Sequence, residues 1–408
     1  MASARIAVGS AERGRRADGA GDVHVQEFTV SFRYPVYFTA DALDPVNPTL
    51  VDAIAHAEPE RRHRIFVVVD GGVAAARPDL CAAFARYAGA HPHALELAAP
   101  PEVVPGGERA KNDPAVTQRL HAQLHALRID RHSFVVVVGG GAVQDAAGYA
   151  AGTAHRGVRI VRLPTTVLSQ GDGGVGVKNG VNAFGTKNLI GTFAPPFAVV
   201  NDIRFIESLP RRDRVAGIAE AVKVSLIRDR PFFDWLVDNA PALAALERDA
   251  VAEMIRRSAG LHLRHIATSG DAFEHGSARP LDFGHWAAHK LETLSAHRLS
   301  HGEAVAIGVL LDARYSVEAG LMDEACLNAI SELVDRLGLP QWDDALDLRG
   351  PDGSPRILEG LAEFREHLGG ELTITLLEGI GHGIDAHVIE DAFVARAVEW
   401  LRERQARR

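Results

Sequence analysis

The sequence predicts an α/β protein in which an N-terminal Rossmann-like parallel-sheet domain is followed by a mostly α-helical C-terminal domain. Three observations support this fold class. A length of 408 residues exceeds what one hydrophobic core usually serves. Short β-branched runs alternate with amphipathic segments in the first half, and helical periodicity dominates the second. We therefore expect a flexible extension over residues 1–26, an α/β domain over 27–206 and a helical domain over 207–408.

The predicted strands are short apolar runs that end in Asp, Gly or Thr, at residues 64–70, 133–141, 158–166 and 197–202. Such runs are typical of parallel strands buried on both faces. Helical segments are predicted between them at 74–88, 114–128 and 143–154. This alternation indicates a doubly wound sheet, whose ligands bind outside the carboxyl ends of the strands.

The second half carries apolar residues at helical spacing, with few β-branched runs. The predicted helical segments are 214–228, 231–268, 283–296, 302–320 and 323–337. A strand-like piece at 371–381 and a final helix at about 387–405 close the chain.

Composition excludes several classes of function. The formal net charge is −9, so the whole-chain field does not favour nucleic acid or an anionic membrane. Two distant cysteines, Cys81 and Cys326, fit a reducing, cytoplasmic compartment. The first 26 residues lack the apolar run of a secretory signal, and no transmembrane helix is expected.

Two features at predicted strand ends suit a nucleotide. "VVVVGGGAVQDAAGYAA" places glycines between a strand and a helix, where backbone N–H groups can approach a diphosphate. Tight packing of the turn explains the glycines equally well. Asp70 ends an earlier strand, where it could bind ribose hydroxyls or simply cap a helix.

The stretch "LPTTVLSQGDGGVGVKNGVNAFGTKNLIGTF" (163–193) reads as a loop rich in glycine. Its lysines, Lys178 and Lys187, are suited to holding a phosphate as point charges. The alternative is a solvated surface loop, although Asp172 is its only acidic residue.

A metal site is suggested by charged residues on apolar helices. Glu220 and Lys223 are three apart and share a helix face, as a structural ion pair or as part of a site. His285 and His289 lie one turn apart, and His301 precedes another helix. One carboxylate with two histidines would form an open zinc site, but spacing does not decide between His289 and His301, nor exclude a structural role.

Taken in order, these motifs resemble the 3-dehydroquinate synthase family, the sugar phosphate cyclases, over about residues 65–385. "GGGAVQDAAGYAAGTAHRGVR" is similar to the family's GGGxxxDxxGFxAxxxxRGV, and "PTTVLSQGDGGVGVKNGVN" to PTTLLxQxDxSVGGKTGVN. "TKN" corresponds to GKN, "GIAEAVK" to G(L/M)AEVIK, "DFGHWAAH" to NFGHTFGH and "SHGEAVAIG" to LHGEAVAIG.

The resemblance implies a homodimer with NAD bound to the first domain and Zn²⁺ or Co²⁺ bound in the second, near a cleft that takes a sugar phosphate. It implies a redox-neutral elimination of phosphate followed by an intramolecular aldol cyclisation. Its metal ligands map onto Glu220, His285 and His301. The nucleotide contacts map onto Asp70, Glu108, Lys111, Gly140, Gly141, Asp145, Thr165 and Thr166. The catalytic group maps onto Asp172, Lys178, Lys223, Asp282 and His289, and substrate binding onto Lys187, Asn188, Arg279 and, across the dimer, Arg156.

The chain departs from the family where dehydroquinate synthases bind the carboxylate of their substrate. Asp282 replaces asparagine and would repel a carboxylate while accepting hydrogen bonds from hydroxyls. The family's arginine falls at Ala278, with Arg279 displaced by one, and a lysine falls near Arg264. The late Lys-Lys pair falls at Arg365 and Glu366. These changes favour a neutral sugar.

Relatives that use sedoheptulose 7-phosphate also carry aspartate at the Asp282 position. The 2-epi-5-epi-valiolone synthases resemble this chain but have proline where it has His289, so histidine favours the 2-epi-valiolone branch. Three alternatives remain. These are a 3-dehydroquinate synthase in which Arg264, Arg279 and Arg365 bind the carboxylate, a metal-dependent alcohol dehydrogenase that releases NADH, and a nucleotide-binding protein without catalysis.

Overall fold

The protein, seen here in a computed structural model, is described over residues 24–269, 273, 281–367 and 372–407. A parallel sheet of seven strands dominates its first half, in the order β1-β9-β6-β5-β2-β3 with β4 also paired to β2. Two antiparallel hairpins, β7–β8 and β10–β11, lie outside this sheet. The strands are β1 Val36–Thr39, β2 His63–Asp70, β3 Leu95–Leu97, β4 Glu102–Val104, β5 Phe134–Gly139, β6 Arg159–Pro164, β7 Lys178–Ala183, β8 Thr186–Phe193, β9 Ala198–Asp202, β10 Ile374–Gly379 and β11 His382–Ala386.

Helices cover the sheet and make up most of the second half. The helices are α1 Thr49–Ala55, α2 Gly71–Ala76, α3 Leu80–Ala90, α4 Arg109–Asn112, α5 Pro114–Ala126, α6 Gly141–Thr153, α7 Val167–Gly171, α8 Ile203–Glu207, α9 Arg211–Ala216, α10 Ile218–Arg228, α11 Arg230–Asp238, α12 Ala240–Ala244, α13 Arg248–Thr268, α14 His285–Leu294, α15 His301–Glu318, α16 Glu324–Arg336, α17 Glu359–His367 and α18 Asp391–Ala406. The predicted α/β sheet followed by a helical region is confirmed. The domain boundary after residue 206 stays a prediction.

The sheet is buried on both faces, as its β-branched strands predict. Along β2, Ile65, Val67 and Val69 pack into one apolar cluster, while Phe66 and Val68 pack into another on the opposite face. A third and larger cluster fills the helical region. None of the helices in the described ranges is long and apolar enough to cross a membrane.

One prediction of local structure is wrong. Residues 178–193, expected to be loop, form the β7–β8 hairpin, in which Gly180 faces Gly191. A Cβ on Gly191 would lie 2.7 Å from the Asn179 carbonyl oxygen, so glycine permits the close strand approach. The strand expected at 371–381 is present as β10, and it pairs with β11 to form a second hairpin.

A close crossing of α14 and α15 sets the position of the histidines at their first turns. A Cβ on Gly308 of α15 would lie 2.2 Å from the Gly284 carbonyl oxygen, so only glycine fits there. Gly284 has a φ of +75°, which also favours glycine. The buried Asp312 fastens the crossing, because it accepts hydrogen bonds from Gly284 N and Trp286 Nε1, both at 2.9 Å.

Asp312 gives a first testable prediction. Burial raises the pKa of its carboxyl to about 7, although the hydrogen bonds from Trp286 and Gly284 oppose the shift. Since an unfolded aspartate titrates at about 3.9, the folded state holds one extra proton between the two values. Stability conferred by this group is therefore lost as pH rises from about 4 to 7, at up to about 1.4 kcal/mol per pH unit. In urea unfolding from pH 5 to 8, we expect the free energy of unfolding of Asp312→Asn to rise relative to that of the wild type as the pH increases to 7. A difference that does not change with pH would contradict this.

Candidate active site and metal centre

Three side chains from three helices meet at the centre of the helical region. Glu220 lies in the first turn of α10, and His285 and His301 are the first residues of α14 and α15. Glu220 Oε1 lies 3.6 Å from His285 Nε2 and 3.3 Å from His301 Nε2. One ligand atom from each residue lies within 4.8 Å of the others. The structure thus brings together the three residues that the resemblance implies as metal ligands.

The electrostatics at Glu220 and His285 suit a cation, whereas a metal would have to displace a proton from His301. Burial would lower the pKa of His301, but its contacts with the carboxylates of Glu220 and Glu292 raise it to about 9. Both carboxylate oxygens of Glu220 are buried, and neither receives a hydrogen bond of good geometry from the described residues. Burial alone would raise the pKa of Glu220, but the charges of Lys223 and the histidines outweigh it and lower the pKa well below its usual range. Burial and the nearby Lys223 hold the pKa of His285 well below its usual range. An ionised carboxylate beside a neutral imidazole is the protonation state that a metal requires.

Lys223 completes the buried charges of the cluster. Its Nζ lies 2.5 Å from Glu220 Oε2, and both side chains are only 3% exposed. Burial would lower the pKa of Lys223, but the carboxylates of Glu220 and Asp172 outweigh it and raise the pKa. The ion pair that the sequence left as an alternative is therefore present, inside the cluster.

Glu292 is a site residue that the sequence analysis missed. Its Oε1 lies 2.7 Å from His301 Nδ1, and its Oε2 accepts from Lys187 Nζ at 2.9 Å. Burial would raise the pKa of Glu292, but the bonds from His301 and Lys187 lower it to about 2. The hydrogen bond between Glu292 and His301 Nδ1 also fixes the His301 ring so that its Nε2 faces Glu220. The three-residue spacing of His289 and Glu292 on one predicted helix was the signal available.

His289 lies beside the cluster on its exposed side. Its ring centroid is 5.4 Å from that of His285 and 5.8 Å from that of His301. His289, Glu292 and His301 form a second group whose ligand atoms lie within 4.8 Å of one another. Each group has a carboxylate paired with a lysine, but His289 is exposed whereas His285 is buried. The buried group containing Glu220 is therefore the better metal site.

The orientation of His301 by Glu292 can be tested. We expect Glu292→Gln to lower zinc affinity about 10- to 100-fold, because loss of a carboxylate that orients a ligating histidine has effects of this size. Competition with a chromophoric chelator measures the affinity. Glu303→Gln is the control, since Glu303 binds Arg212 and the start of α15 but lies outside the cluster. Unchanged zinc affinity in Glu292→Gln would remove Glu292 from the site.

The residues expected to bind nucleotide gather at the carboxyl ends of the strands. Asp70 ends β2 and accepts from Gly72 N at 2.7 Å, so the helix-capping alternative is realised. Gly140 and Gly141 begin α6 directly after β5. Thr165 Oγ1 is buried without a hydrogen-bond partner among the described residues, and Thr166 caps α7.

Lys111 links this group to the hairpin. Its buried Nζ donates to Asp145 Oδ2 at 2.8 Å and to Asn188 Oδ1. Burial raises the pKa of Asp145, with Lys111 opposing the shift. Glu108 accepts from Asn182 of β7 at 2.9 Å. Glu108 and Lys111 are therefore linked directly to the hairpin, through Asn182 and Asn188.

A cavity of about 440 Å³ opens between the glycine-rich loop, the hairpin and α13. Asp172, Lys178 and Asn188 line it, together with His262, whose Nδ1 lies 3.3 Å from Asp172 Oδ1. His262 is a second residue that the sequence analysis missed.

The remaining expected substrate residues are scattered. Asp282 precedes α14 and its carbonyl accepts from His285 N at 2.9 Å. Arg156 lines a separate surface depression with His132 and His155, so this chain does not bring it to the cluster. Arg279 and Ala278 lie outside the described residues.

Fold and site together define a class of proteins: a doubly wound parallel sheet followed by helices that carry a carboxylate–imidazole cluster. Residues 102–216 match the family described as 3-dehydroquinate synthase N-terminal, and residues 217–351 match 3-dehydroquinate synthase C-terminal. A 3-dehydroquinate synthase from Ruegeria sp. (strain TM1040) is 34% identical over 346 residues, covering 84% of this chain and 89% of that protein. The chain belongs to the 3-dehydroquinate synthase family.

Other relatives bear on substrate class. A 3-dehydroquinate synthase from Geobacter sp. (strain M21) is 40% identical over 241 residues, which cover 59% of this chain and 66% of that protein. A 2-epi-5-epi-valiolone synthase from Streptomyces hygroscopicus subsp. jinggangensis 5008, solved with NAD⁺ and Zn²⁺ bound, superposes with a TM-score of 0.81 at 28% identity. That match covers 94% of this chain and all of the solved chain.

Proposed function

We propose that this protein is a sugar phosphate cyclase, a carbon–oxygen lyase that uses NAD and a zinc or cobalt ion. Its proposed substrate is sedoheptulose 7-phosphate, and its proposed product is a valiolone-type cyclitol, 2-epi-valiolone. The observation that carries the proposal is the buried cluster of Glu220, His285 and His301 with Lys223 beside it. The likeness to a cyclitol synthase solved with NAD⁺ and Zn²⁺ supports both cofactors.

The residues fit both groups. Glu220 offers two buried oxygens that lack good hydrogen bonds, and His285 and His301 each point Nε2 towards Glu220. For the nucleotide, Gly140 opens α6, where backbone N–H groups favour a diphosphate. The buried Thr165 Oγ1 nearby supplies an unpartnered polar atom. When bound, NAD would accept and return a hydride, and the metal would polarise a substrate oxygen as a Lewis acid.

The chain's own residues would supply binding and orientation. Lys178 and Asn188 line the cavity, and Lys187 lies on the same hairpin, so these side chains would neutralise and hold the phosphate. Lys223, held cationic by Glu220 and Asp172, would stabilise negative charge on the substrate. His289 lies on the exposed side of the cluster and would face the sugar. We propose that Arg156 acts across a homodimer, as the resemblance implies.

Asp282 favours a hydroxylated substrate over a carboxylated one. It lies close enough to Lys223 to help raise the pKa of that lysine, after Glu220 and Asp172. A third carboxylate near the cluster would repel a substrate carboxylate but accept hydrogen bonds from hydroxyls. Arg264 and Arg365 are exposed, on α13 and α17. Neither side chain lines the cavity formed by Asp172, Lys178 and Asn188, which supports a substrate without a carboxylate.

A second function is favoured by the curated relatives, several of which are 3-dehydroquinate synthases. Phosphate release separates the two functions. Purified protein supplied with zinc and NAD is offered sedoheptulose 7-phosphate and, separately, 3-deoxy-arabino-heptulosonate 7-phosphate. We expect release from the neutral sugar alone; release from the acid alone would establish dehydroquinate synthase activity. Net NADH formation would indicate an alcohol dehydrogenase instead.

Asp282 can be tested directly. Asp282→Asn should weaken binding of the sugar by about 1–3 kcal/mol, because a buried hydroxyl would lose its charged acceptor. The same change should improve binding of the acid substrate by removing repulsion. Michaelis constants for both sugars measure this, with Asp385→Asn on the distant β11 hairpin as the control. An unchanged constant for the neutral sugar would count against Asp282 as a substrate contact.

A further inference from the structure

Arg162 is buried in the middle of the parallel sheet, on β6, with no exposed surface. Its Nη1 donates to the carbonyl oxygens of Gly173, Gly174 and Gly176 at 3.2, 3.3 and 3.0 Å. Its Nη2 donates to the carbonyl oxygen of Lys178 at 3.0 Å and to Asn179 Oδ1 at 2.7 Å. A buried guanidinium is costly unless its donors are satisfied; here both Nη atoms have acceptors, while the buried Nε has none among the described residues. The loop over residues 173–178 therefore wraps around Arg162 because its carbonyls solvate the charge.

Asn179, on strand β7 of the hairpin, connects Arg162 to the chain just after β8. While its Oδ1 accepts from Arg162, its Nδ2 donates to the Ala194 carbonyl at 3.2 Å, just beyond β8. A Cβ on Gly148 of α6 would lie 1.9 Å from Asn179 Oδ1, so glycine at 148 makes room for the amide. Threonine, which stands here in the family pattern VGGKTG, would have to make both contacts through a single oxygen, whereas Asn179 uses Oδ1 for Arg162 and Nδ2 for Ala194.

The loop held by Arg162 begins after Asp172 and ends at Lys178, and both of these residues line the cavity. Any shift of the loop would move the ammonium of Lys178 relative to a bound phosphate. We infer that Arg162 and Asn179 are positioning residues that fix the 173–178 loop and thereby aim Lys178 and Asp172 at the substrate. The phosphate-binding role of Lys178 rests on the proposed function; the anchoring of the loop does not.

Asn179 is the residue to change, because Arg162→Gln would leave several buried carbonyls unsatisfied and could prevent folding. Asn179→Ala removes one acceptor and leaves the four carbonyls in place. Asn179→Asp keeps the acceptor for Arg162, with a charge-assisted bond, but loses the Nδ2 donor to the Ala194 carbonyl, so it separates the two contacts. The control is Asn239→Ala, a half-buried asparagine that bonds only locally, to Trp235 at the end of α11.

Three measurements are made on the zinc- and NAD-loaded protein: amide hydrogen exchange over residues 172–179, kcat and KM, and the affinity for inorganic phosphate by calorimetry. For Asn179→Ala we expect faster exchange in this segment and a fall in kcat on the order of tenfold. Phosphate affinity should fall by a similar factor. Asn179→Asp, which keeps only the bond to Arg162, should restore part of the exchange protection lost in Asn179→Ala, and Asn239→Ala should change none of the three values.

The measurements test the anchoring of the loop and the positioning of Lys178 separately. Unchanged exchange in Asn179→Ala overturns the anchor. Faster exchange with unchanged kcat and phosphate affinity shows a purely structural role and overturns the positioning. If the wild type releases phosphate from neither sugar, the proposed function fails, yet exchange and inorganic phosphate affinity still decide whether Asn179 and Arg162 position Lys178.

Discussion

Replacing His285 with alanine is expected to remove the bound metal and the phosphate-releasing activity together. The Nε2 of His285 faces Glu220, and its loss leaves only two of the three proposed protein ligands, whereas catalytic zinc sites use three. Loss of a metal that stabilises transition-state charge is worth several kcal/mol, so kcat should fall on the order of 10³-fold or more. Metal content by atomic emission and phosphate release measure the two effects.

The control for this variant is His382→Ala, because His382 is an exposed histidine on β11 whose ring lies beside Glu378. It should keep full metal content and activity. Full metal content in His285→Ala would refute the ligand assignment. Retained metal with lost activity would instead place His285 among the substrate contacts, with His289, Glu292 and His301 holding the ion.

The fold could be predicted from the sequence because its signals are local. Each segment contains the pattern that predicts its own secondary structure: β-branched runs for β2 and β5, and helical spacing of apolar residues for α13 and α15. The β7–β8 hairpin could not be predicted in this way, since Gly180 and Gly191 weaken the strand pattern. Their role depends on contact across the hairpin, which is a property of the folded chain.

The same distinction, between local signals and contacts distant in the sequence, applies to the residues of the candidate site. Glu220, Lys223, His285 and His301 could be suspected because charged residues on apolar helices are costly without a partner. Glu292 had only the signal of its spacing from His289, and Arg162 had none, because their importance comes from partners more than eight residues away, at His301 and along the glycine-rich loop. A charged residue within a strand or helix reveals a function only when its acceptors are known.

Replacing Lys223 with methionine is expected to give the largest loss of stability, and the loss should depend on the metal. Lys223 and Glu220 are each only 3% exposed and lie 2.5 Å apart, so removing the ammonium leaves a buried carboxylate without its counter-charge. Breaking such a pair costs about 3–5 kcal/mol. A bound zinc ion would supply a replacement charge, so the loss should be clearly smaller in the loaded protein.

Urea unfolding with chelator and with zinc measures the difference, and Lys290→Met is the matched control. Lys290 is also a buried lysine of the helical region, but its partners Glu359 and Glu363 are 45% and 58% exposed. Its loss leaves those carboxylates in solvent, so zinc should not change the effect. The double variant Glu220→Gln with Lys223→Met should recover much of the lost stability without metal, because no buried charge remains. Equal destabilisation of Lys223→Met with and without zinc would show that Lys223 and the metal do not share Glu220.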